Sequence, residues 1–343
     1  MKNYFLAFVL AFVFSAALTP VVRLAAKLWG IVDEPKGLRK LHETKTPLLG
    51  GVAVFFAFAF TVFIFLRFGL LDDGVSRNFT IFSLLIGSLV IAIGGFLDDK
   101  YGLSPGRQIV FPLLAALIVL FAGVRIEFIT NPLGGVIEIP AMFGILLTFF
   151  WIMGMMYTTK FLDGMDGLVS GIAFIAAITI FIVSLFWDVE KSSTSFLALM
   201  VAGSAFGFLL YNFHPAKIFL GEGGSVFFGF ILAVLSIISG SKIATAFLVM
   251  SLPILDTFFV IARRIRQGKS PVQGDRKHFH FRLLDRGWGV KKSVFFIYFI
   301  TIVLGLSALV LNTGGKIIAI AIDIVILAFL VHIFYSRRTF WSK

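Results

Sequence analysis

The sequence predicts an all-α, polytopic integral membrane protein. Hydrophobic residues make up 59% of the 343 residues and only 14% are charged, whereas a soluble domain carries about a quarter charged residues. The apolar residues occur in runs of roughly 20, the length that crosses a bilayer as a helix. No period-two alternation indicates a membrane barrel. The absence of Cys excludes disulfides, thiol catalysis and cysteine metal clusters.

About eleven transmembrane helices are expected if each span takes about 18 to 22 residues. The first apolar run is followed by a basic segment, the reverse of a cleavable signal, so it is interpreted as a retained helix. Residues 124–140 are rich in Asn, Pro and Gly and are expected to form a looped hairpin. The spans are placed near residues 4–23, 48–68, 78–97, 108–124, 141–159, 168–187, 194–213, 224–240, 242–262, 292–311 and 316–335.

The distribution of basic residues predicts the orientation. If the first helix starts outside, the cytoplasmic loops and the C-terminus hold most of the 30 lysines and arginines. The positive-inside rule then places the N-terminus outside and the C-terminus in the cytoplasm. Residues 1–343 are expected to form one multi-pass domain of the inner (plasma) membrane, with 263–292 as its basic cytoplasmic loop. The polar clusters all fall at helix ends on this side, which disfavours a lipid or ion transporter.

Two carboxylates, Asp163 and Asp166, follow the fifth predicted span in the stretch FLDGMDGL. On a helical backbone their three-residue spacing would place them on one face. Gly164 and Gly167 keep side chains away, so a ligand could approach the backbone closely. The alternative is a Gly-rich turn with exposed acids.

Asp98 and Asp99 end the third predicted span in GGFLDDKYGLSP. Adjacent side chains on a helix point about 100° apart, so a division of roles is natural, with one carboxylate near a metal and one near a reacting oxygen. The alternative is a solvated helix end. Glu222 stands among glycines before another span, where backbone amides can bind phosphate.

Two cytoplasmic loops are strongly basic. The first, DEPKGLRKLHETKTPLLGG at 33–51, could hold a phosphate or could simply be attracted to anionic lipid. The last contains DRKHFHFRLLDRGWG at 275–289, whose HxH pair has no third metal ligand nearby and is surrounded by cations. This segment is therefore expected to bind an anion rather than zinc. Within the spans, Asp256 is expected near an interface, and the sequence gives no account of Asp323.

Together these stretches resemble the polyprenyl-phosphate N-acetylhexosamine-1-phosphate transferase superfamily. The resemblance covers nearly the whole chain and rests, in order, on DEPKGLRKLHETKTPLLGG, FLDDKYGL, FLDGMDGLVSG, YNFHPAKIFLGEGGS, PILDT and KHFHFRLLDRGW. It implies transfer of a sugar-1-phosphate, with N-acetylglucosamine-1-phosphate favoured, from a UDP-sugar to undecaprenyl phosphate with release of UMP. The product would serve cell-envelope polysaccharide synthesis. The implied partners are the UDP-sugar, undecaprenyl phosphate and the bilayer, with no nucleic acid; a homodimer is left open.

The resemblance also implies roles for single residues and a Mg²⁺ cofactor. Asp98 is the candidate base with Asp99 beside it, and Asp163 and Asp166 belong to the nucleotide and metal surroundings of the catalytic site. Glu222 occupies the position of a metal ligand. The substrate-binding residues are expected to be Arg39, Lys40, His42, Lys45, Lys160, His278, His280 and Arg282.

The chain departs from the family pattern at two positions that contact the metal in the family. Where the family usually has two magnesium contacts, an Asn and an Asp, this chain has Lys160 and Glu222. A protonated lysine has no lone pair for a metal and repels it. We therefore hypothesise an ion pair between these two residues that places an ammonium where the family keeps Mg²⁺. The same departure supports an alternative function, a catalytically weakened homologue that binds polyprenyl phosphate or a partner without turnover.

Overall fold

The structure, a computed structural model, describes residues 2–35, 44–71, 78–187, 193–240, 242–270 and 276–336. Within these ranges the chain is mostly helical, so the predicted all-α class is confirmed apart from two small antiparallel strand pairs. The helices are α1 (Lys2–Leu28), α2 (Gly50–Arg67), α3 (Asn78–Tyr101), α4 (Pro105–Gln108), α5 (Val110–Phe121), α6 (Ala141–Leu162), α7 (Leu168–Trp187), α8 (Ser193–Asn212), α9 (Gly221–Ile238), α10 (Ile243–Val249), α11 (Ser251–Arg266), α12 (Phe279–Asp285), α13 (Val290–Val310) and α14 (Thr313–Ser336). The strands are β1 (Val32–Asp33), β2 (Thr46–Pro47), β3 (Phe128–Thr130) and β4 (Val136–Glu138).

Eight helices of the described ranges are long and apolar enough to cross a membrane, and a ninth crossing exists if α10 and α11 form one bent span. Each of the eleven predicted segments contains a helix, but the count of eleven crossings is not confirmed. In the predicted span 108–124, α5 has only 12 residues. At 1.5 Å per residue that is about 18 Å, short of a hydrocarbon core of about 30 Å. The predicted span 242–262 is broken by a 77° bend between α10 and α11.

The hairpin expected at 124–140 is present. Strands β3 and β4 pair in antiparallel register, with Phe128 opposite Glu138 and Thr130 opposite Val136. The turn between them contains Gly134 and Gly135, both with positive φ angles, which glycine adopts without a steric penalty. The composition of this segment was therefore a sufficient signal for its structure.

Helix α9 lies at the centre of the bundle, and all of its residues except Glu222 and Ile238 are buried. Glycines set its distance from two neighbours. A methyl group on Gly95 of α3 would overlap the backbone of Gly223, and one on Gly51 of α2 would overlap the backbone of Gly224. Small residues allow such close backbone approach in membrane helix bundles. The start of α9 is consequently fixed between the end of α3 and the start of α2.

The buried Asn212, at the end of α8, connects three segments at the same end of the bundle. Its Oδ1 atom accepts hydrogen bonds from the Gly167 amide at 3.1 Å and from the Ser170 hydroxyl at 2.9 Å. Its Nδ2 atom donates to the carbonyl of Ile218 at 3.1 Å. The turn before α7 and the loop before α9 are thus held to one another by a single amide side chain.

Candidate active site

The ionisable residues converge where α3 and α6 end and α2 and α9 begin. Asp99, in the last turn of α3, accepts a hydrogen bond from the Leu49 amide at 3.2 Å and another from the Glu222 amide at 3.1 Å. These amides stand at the starts of α2 and α9, where the helix dipoles favour a negative charge. Both oxygens of Asp99 are therefore used to hold helix ends together.

The neighbouring carboxylate has other partners. Asp98 accepts hydrogen bonds at Oδ1 from the Leu103 amide and from Nε2 of Gln108, both at 2.8 Å. Among the described residues none donates to its Oδ2 atom. Asp98 lines a cleft together with Gln108 and Glu222. The two adjacent aspartates thus face different surroundings, as their angular offset on a helix predicts.

Gln108 connects Asp98 to a cation. Its Oε1 atom accepts a hydrogen bond from Nζ of Lys160 at 2.9 Å, and Lys160 also forms an ion pair with Oε1 of Glu222. The ammonium lies 5.6 Å from the centre of the Tyr157 ring, a favourable cation–π distance. The ion pair hypothesised from the sequence is present in the structure, and each of its side chains is 19% exposed.

The stretch FLDGMDGL does not continue the helix before it. Helix α6 ends at Leu162, and the next residues form a turn in which Gly167 has a φ angle of 77°. The prediction that Asp163 and Asp166 share one helical face is therefore wrong, and the Gly-rich turn is what forms. The reason is local, because two glycines within four residues favour a turn over a helix.

In this turn Asp166 is anchored by the following loop. Its Oδ2 atom lies 2.7 Å from Nδ1 of His214 and accepts a hydrogen bond from the Ala216 amide at 3.1 Å. Asp166 is 18% exposed and the His214 side chain 34% exposed. This carboxylate therefore fixes the turn against the loop that leads into α9.

Asp163 is exposed in this turn, yet the surrounding protein removes part of the water that would stabilise its charge. This desolvation, together with the neighbouring carboxylates of Glu222, Asp99 and Asp166, raises the pKa of Asp163 to about 8. Four acids thus share one small region. Such crowding calls for a bound cation or a proton.

The HxH segment is buried against the same turn. His278 lies with Nδ1 at 2.8 Å from Oδ2 of Asp256, whose Oδ1 accepts a hydrogen bond from the Phe279 amide at 2.9 Å. The imidazole of His278 stacks between the rings of Phe161 and His280, at 5.8 and 5.7 Å. Asp256, which the sequence places only near an interface, is thus the anchor of this segment.

His280 is completely enclosed, and neither of its ring nitrogens has a hydrogen-bond partner among the described residues. Its Nε2 atom and the ring of Phe281 fill the space that a side chain at Gly164 would need. Burial, and secondarily His278, lowers the pKa of His280 well below its ordinary value. The residue therefore packs as a neutral ring behind the turn. Arg282 is half-buried and donates from Nε to the Lys277 carbonyl at 2.9 Å.

The remaining polar predictions have simpler outcomes. Lys45 is exposed and pairs with Glu34 at 2.6 Å, beside the paired strands β1 and β2. Asp323 accepts a hydrogen bond from the Ser251 hydroxyl at 3.1 Å, at the break between α10 and α11. The other predicted contacts of the first loop lie outside the described residues: Arg39, Lys40 and His42.

The residues present do not fit a magnesium site of the expected kind. In the described ranges no group of three or more His, Asp or Glu side chains could hold a metal ion. Magnesium is usually bound through one or two carboxylates together with substrate phosphates and water. Here Glu222 is already paired with an ammonium and Asp99 with two amides. The cation at this position is Lys160.

Sequence reasoning missed three residues of this site. Gln108 follows the DD stretch by one short loop, Asn212 ends α8, and His214 lies within the stretch YNFHPAK. Gln108 and Asn212 are neutral, so no charge marks them in the sequence. His214 is titratable and could have been identified as a partner for a nearby acid. A neutral side chain that links two helices can be identified only from the folded structure, in which those helices lie next to each other.

Comparison with known proteins identifies the family. A model of glycosyl transferase family 4 matches residues 81–240, which contain the Asp98, Lys160 and Glu222 cluster. A probable undecaprenyl-phosphate N-acetylglucosaminyl 1-phosphate transferase of Bacillus subtilis (strain 168) is 33% identical over 338 residues, covering 96% of this chain and 91% of that protein. The chain belongs to glycosyl transferase family 4.

Two further relatives are similar over most of their length. The decaprenyl-phosphate N-acetylglucosaminephosphotransferase of Mycobacterium tuberculosis (strain ATCC 25618 / H37Rv) is 32% identical, covering 82% of this chain and 75% of that protein. An undecaprenyl-phosphate alpha-N-acetylglucosaminyl 1-phosphate transferase of Yersinia pestis is 26% identical, covering 95% and 90%. The resemblance found in the motifs is thereby confirmed, as is the enzyme class, a phosphoglycosyl transferase.

Proposed function

We propose that this family 4 enzyme transfers N-acetylglucosamine-1-phosphate from its UDP derivative to undecaprenyl phosphate and releases UMP. The names of the relatives support a polyprenyl-phosphate acceptor and an N-acetylglucosamine-1-phosphate cargo. The observation that carries the proposal is the cluster of Asp98, Gln108, Lys160 and Glu222 at one end of an apolar bundle. A membrane-anchored phosphate and a soluble diphosphate can meet only at such an end.

The proposed reaction exchanges one phosphorus–oxygen bond for another. An oxygen of the lipid phosphate attacks the phosphorus that carries the sugar, and a bond forms between them. The bond from that phosphorus to the bridging oxygen of UMP breaks, and UMP leaves with the electron pair. A lipid phosphate that arrives with a proton transfers it to a carboxylate, so charge and atoms balance.

Asp98 is the best-placed carboxylate for this proton. Its Oδ1 atom is fixed by two hydrogen-bond donors, and its Oδ2 atom has no donor among the described residues. A base with one held and one available oxygen is oriented before the substrate arrives. Asp99 has both oxygens on backbone amides, so we assign it to positioning the helix ends.

The site is proposed to face the cytoplasm. The basic loops of the chain follow the helix ends that form the cluster, and the positive-inside rule assigns those loops to the cytoplasm. UDP-sugars are polyanions, so cations at the same face would also concentrate them there.

The test is UMP release by the purified protein from UDP-N-acetylglucosamine and undecaprenyl phosphate, with Mg²⁺ and with chelator. Asp98→Asn is the matched variant, because the amide retains an oxygen for the existing donors but accepts a proton poorly. We expect release by the wild type and a reduction of about 100-fold or more in the variant. Absence of release under both conditions would reject the transferase.

A second candidate, the catalytically weakened homologue, is favoured by one observation, the ammonium at the expected metal position. It predicts saturable binding of undecaprenyl phosphate without UMP release. A binding isotherm measured on the same preparation separates it from an inactive, unfolded sample.

A further inference from the structure

The centre of the site holds more carboxylates than cations among the described residues. The carboxylates of Asp163, Glu222 and Asp99 are close enough to repel one another, and Asp98 acts on Glu222 in the same sense. A diphosphate entering this region needs a cation between itself and these acids. Among the described residues, Lys160 is the cation that contacts the cluster.

The hydrogen-bonding capacity of Lys160 is only partly used. An ammonium has three N–H donors. One is directed to Oε1 of Gln108 at 2.9 Å and one to Oε1 of Glu222. The third has no acceptor among the described residues, and the side chain remains 19% exposed. One donor is therefore left for an oxygen of a bound ligand.

The ammonium is also held in a defined position, unlike a typical surface lysine. Gln108, its neutral acceptor, is itself fixed, since its Nε2 atom donates to Asp98 at 2.8 Å and to the Leu103 carbonyl at 3.0 Å. The backbone at Glu222 is held by its amide hydrogen bond to Asp99 at 3.1 Å and by the close contact of α9 with α3. A charge that is positioned before the substrate binds stabilises a developing negative charge without reorganisation.

The same arrangement disfavours a divalent cation. A metal at Glu222 would have to share its carboxylate with a positive charge already in contact, and two cations at that distance repel each other strongly. Displacing Lys160 would leave Gln108 without its donor. The ammonium and the metal are thus alternatives at one position.

We propose that the Lys160 ammonium, held by Glu222 and Gln108, is the resident cation that receives the sugar diphosphate, so that transfer by this chain needs no divalent metal at this position. The inference rests on the proposed function for its substrate, a nucleoside diphosphate sugar. The ammonium donates its remaining N–H to a phosphate oxygen and stays protonated throughout. No bond to Lys160 forms or breaks.

The experiment converts the site to a metal-binding one. In the double variant Lys160→Asn with Glu222→Asp, an amide replaces the ammonium and a shorter carboxylate replaces that of Glu222. Both new side chains offer oxygen ligands to Mg²⁺. Lys217→Asn is the matched control, because Lys217 is an exposed lysine of the loop before α9. UMP release is measured for the three proteins with chelator and with Mg²⁺. Mn²⁺ bound per chain is measured without substrate by electron paramagnetic resonance.

We expect chelator to lower UMP release by less than about twofold in the wild type and in Lys217→Asn, and by about 100-fold in the double variant, with recovery on Mg²⁺ addition. The double variant should bind one Mn²⁺ per chain more than the wild type. Wild-type release that disappears with chelator and returns with Mg²⁺ would overturn the inference, as would equal Mn²⁺ occupancy in the wild type and the double variant.

Failure of the proposed function gives a different pattern. In that case the wild type releases no UMP under either condition, and the Mn²⁺ measurement alone decides whether the ammonium replaces a metal. If the double variant does not fold, as judged by its thermal unfolding, Lys160→Gln takes its place, since it removes the charge and keeps a similar length.

Discussion

Asp256 is predicted to be the main support of the HxH segment, and its replacement should be costly. The residue is 5% exposed and accepts two hydrogen bonds, from His278 and from the Phe279 amide. A net hydrogen bond to a charged group contributes about 1.5–3 kcal/mol, and removing one partner of a buried pair costs about 3–5 kcal/mol. Asp256→Ala should therefore lower the free energy of unfolding by about 3–5 kcal/mol.

Asp256→Asn should cost less, about 1–2 kcal/mol. Its oxygen can still accept from the Phe279 amide, and its NH₂ group can donate to Nδ1 of a neutral His278. The free energy of unfolding is measured by denaturant titration in detergent micelles. Asp323→Ala is the control, because Asp323 is half-buried and accepts a single hydrogen bond, from Ser251. If Asp256→Ala costs no more than Asp323→Ala, the reasoning about the HxH anchor is refuted.

Three further predictions use the same unfolding measurement. Gly95→Ala forces a methyl group into the backbone of α9 and should cost about 1–3 kcal/mol, whereas Gly154→Ala points into open space and should cost nothing. The pKa of Asp163 is raised to about 8, so the folded state keeps a proton that the unfolded chain loses near pH 4. The free energy of unfolding of the wild type should therefore fall from about pH 5 to pH 8. That of Asp163→Asn should fall less over the same range. Equal slopes would contradict this assignment. His214→Ala removes a donor to Asp166 and should cost about 1 kcal/mol, with His214→Asn closer to the wild type.

The parts of the structure that the sequence predicts are those with a strong local signal. Apolar runs locate the helices because a span must satisfy its backbone hydrogen bonds internally. The hairpin at 124–140 follows from its turn residues. The break between α10 and α11 was not predicted, because both sides of it are apolar and composition does not record a bend of 77°.

Among the site residues, the pair formed by Lys160 and Glu222 was predictable from the resemblance, because both stand where the family usually has magnesium contacts and a cation at one position calls for an acid at the other. The link through Gln108 was not predictable, because a neutral amide does not require a charged partner. The pairing of Asp256 with His278 joins positions 22 residues apart across a loop, and only the assembled bundle brings them together. Local pattern thus identifies which charges need partners, and tertiary structure decides the partners.

The acids of the site fall into two groups that activity measurements alone would not separate. Asp99 and Asp166 accept hydrogen bonds from backbone amides, so their replacement removes support from helix ends and turns. Asp98 lines the cleft and its Oδ2 atom has no donor among the described residues, although its Oδ1 atom accepts from the Leu103 amide, and Asp163 is exposed in its turn. Their replacement should therefore change turnover more than stability. Loss of activity is expected in both groups, but only the first should show a matching loss of unfolding free energy. The residues that hold the site and those that act in it are therefore distinguished by measuring turnover and stability on the same variants.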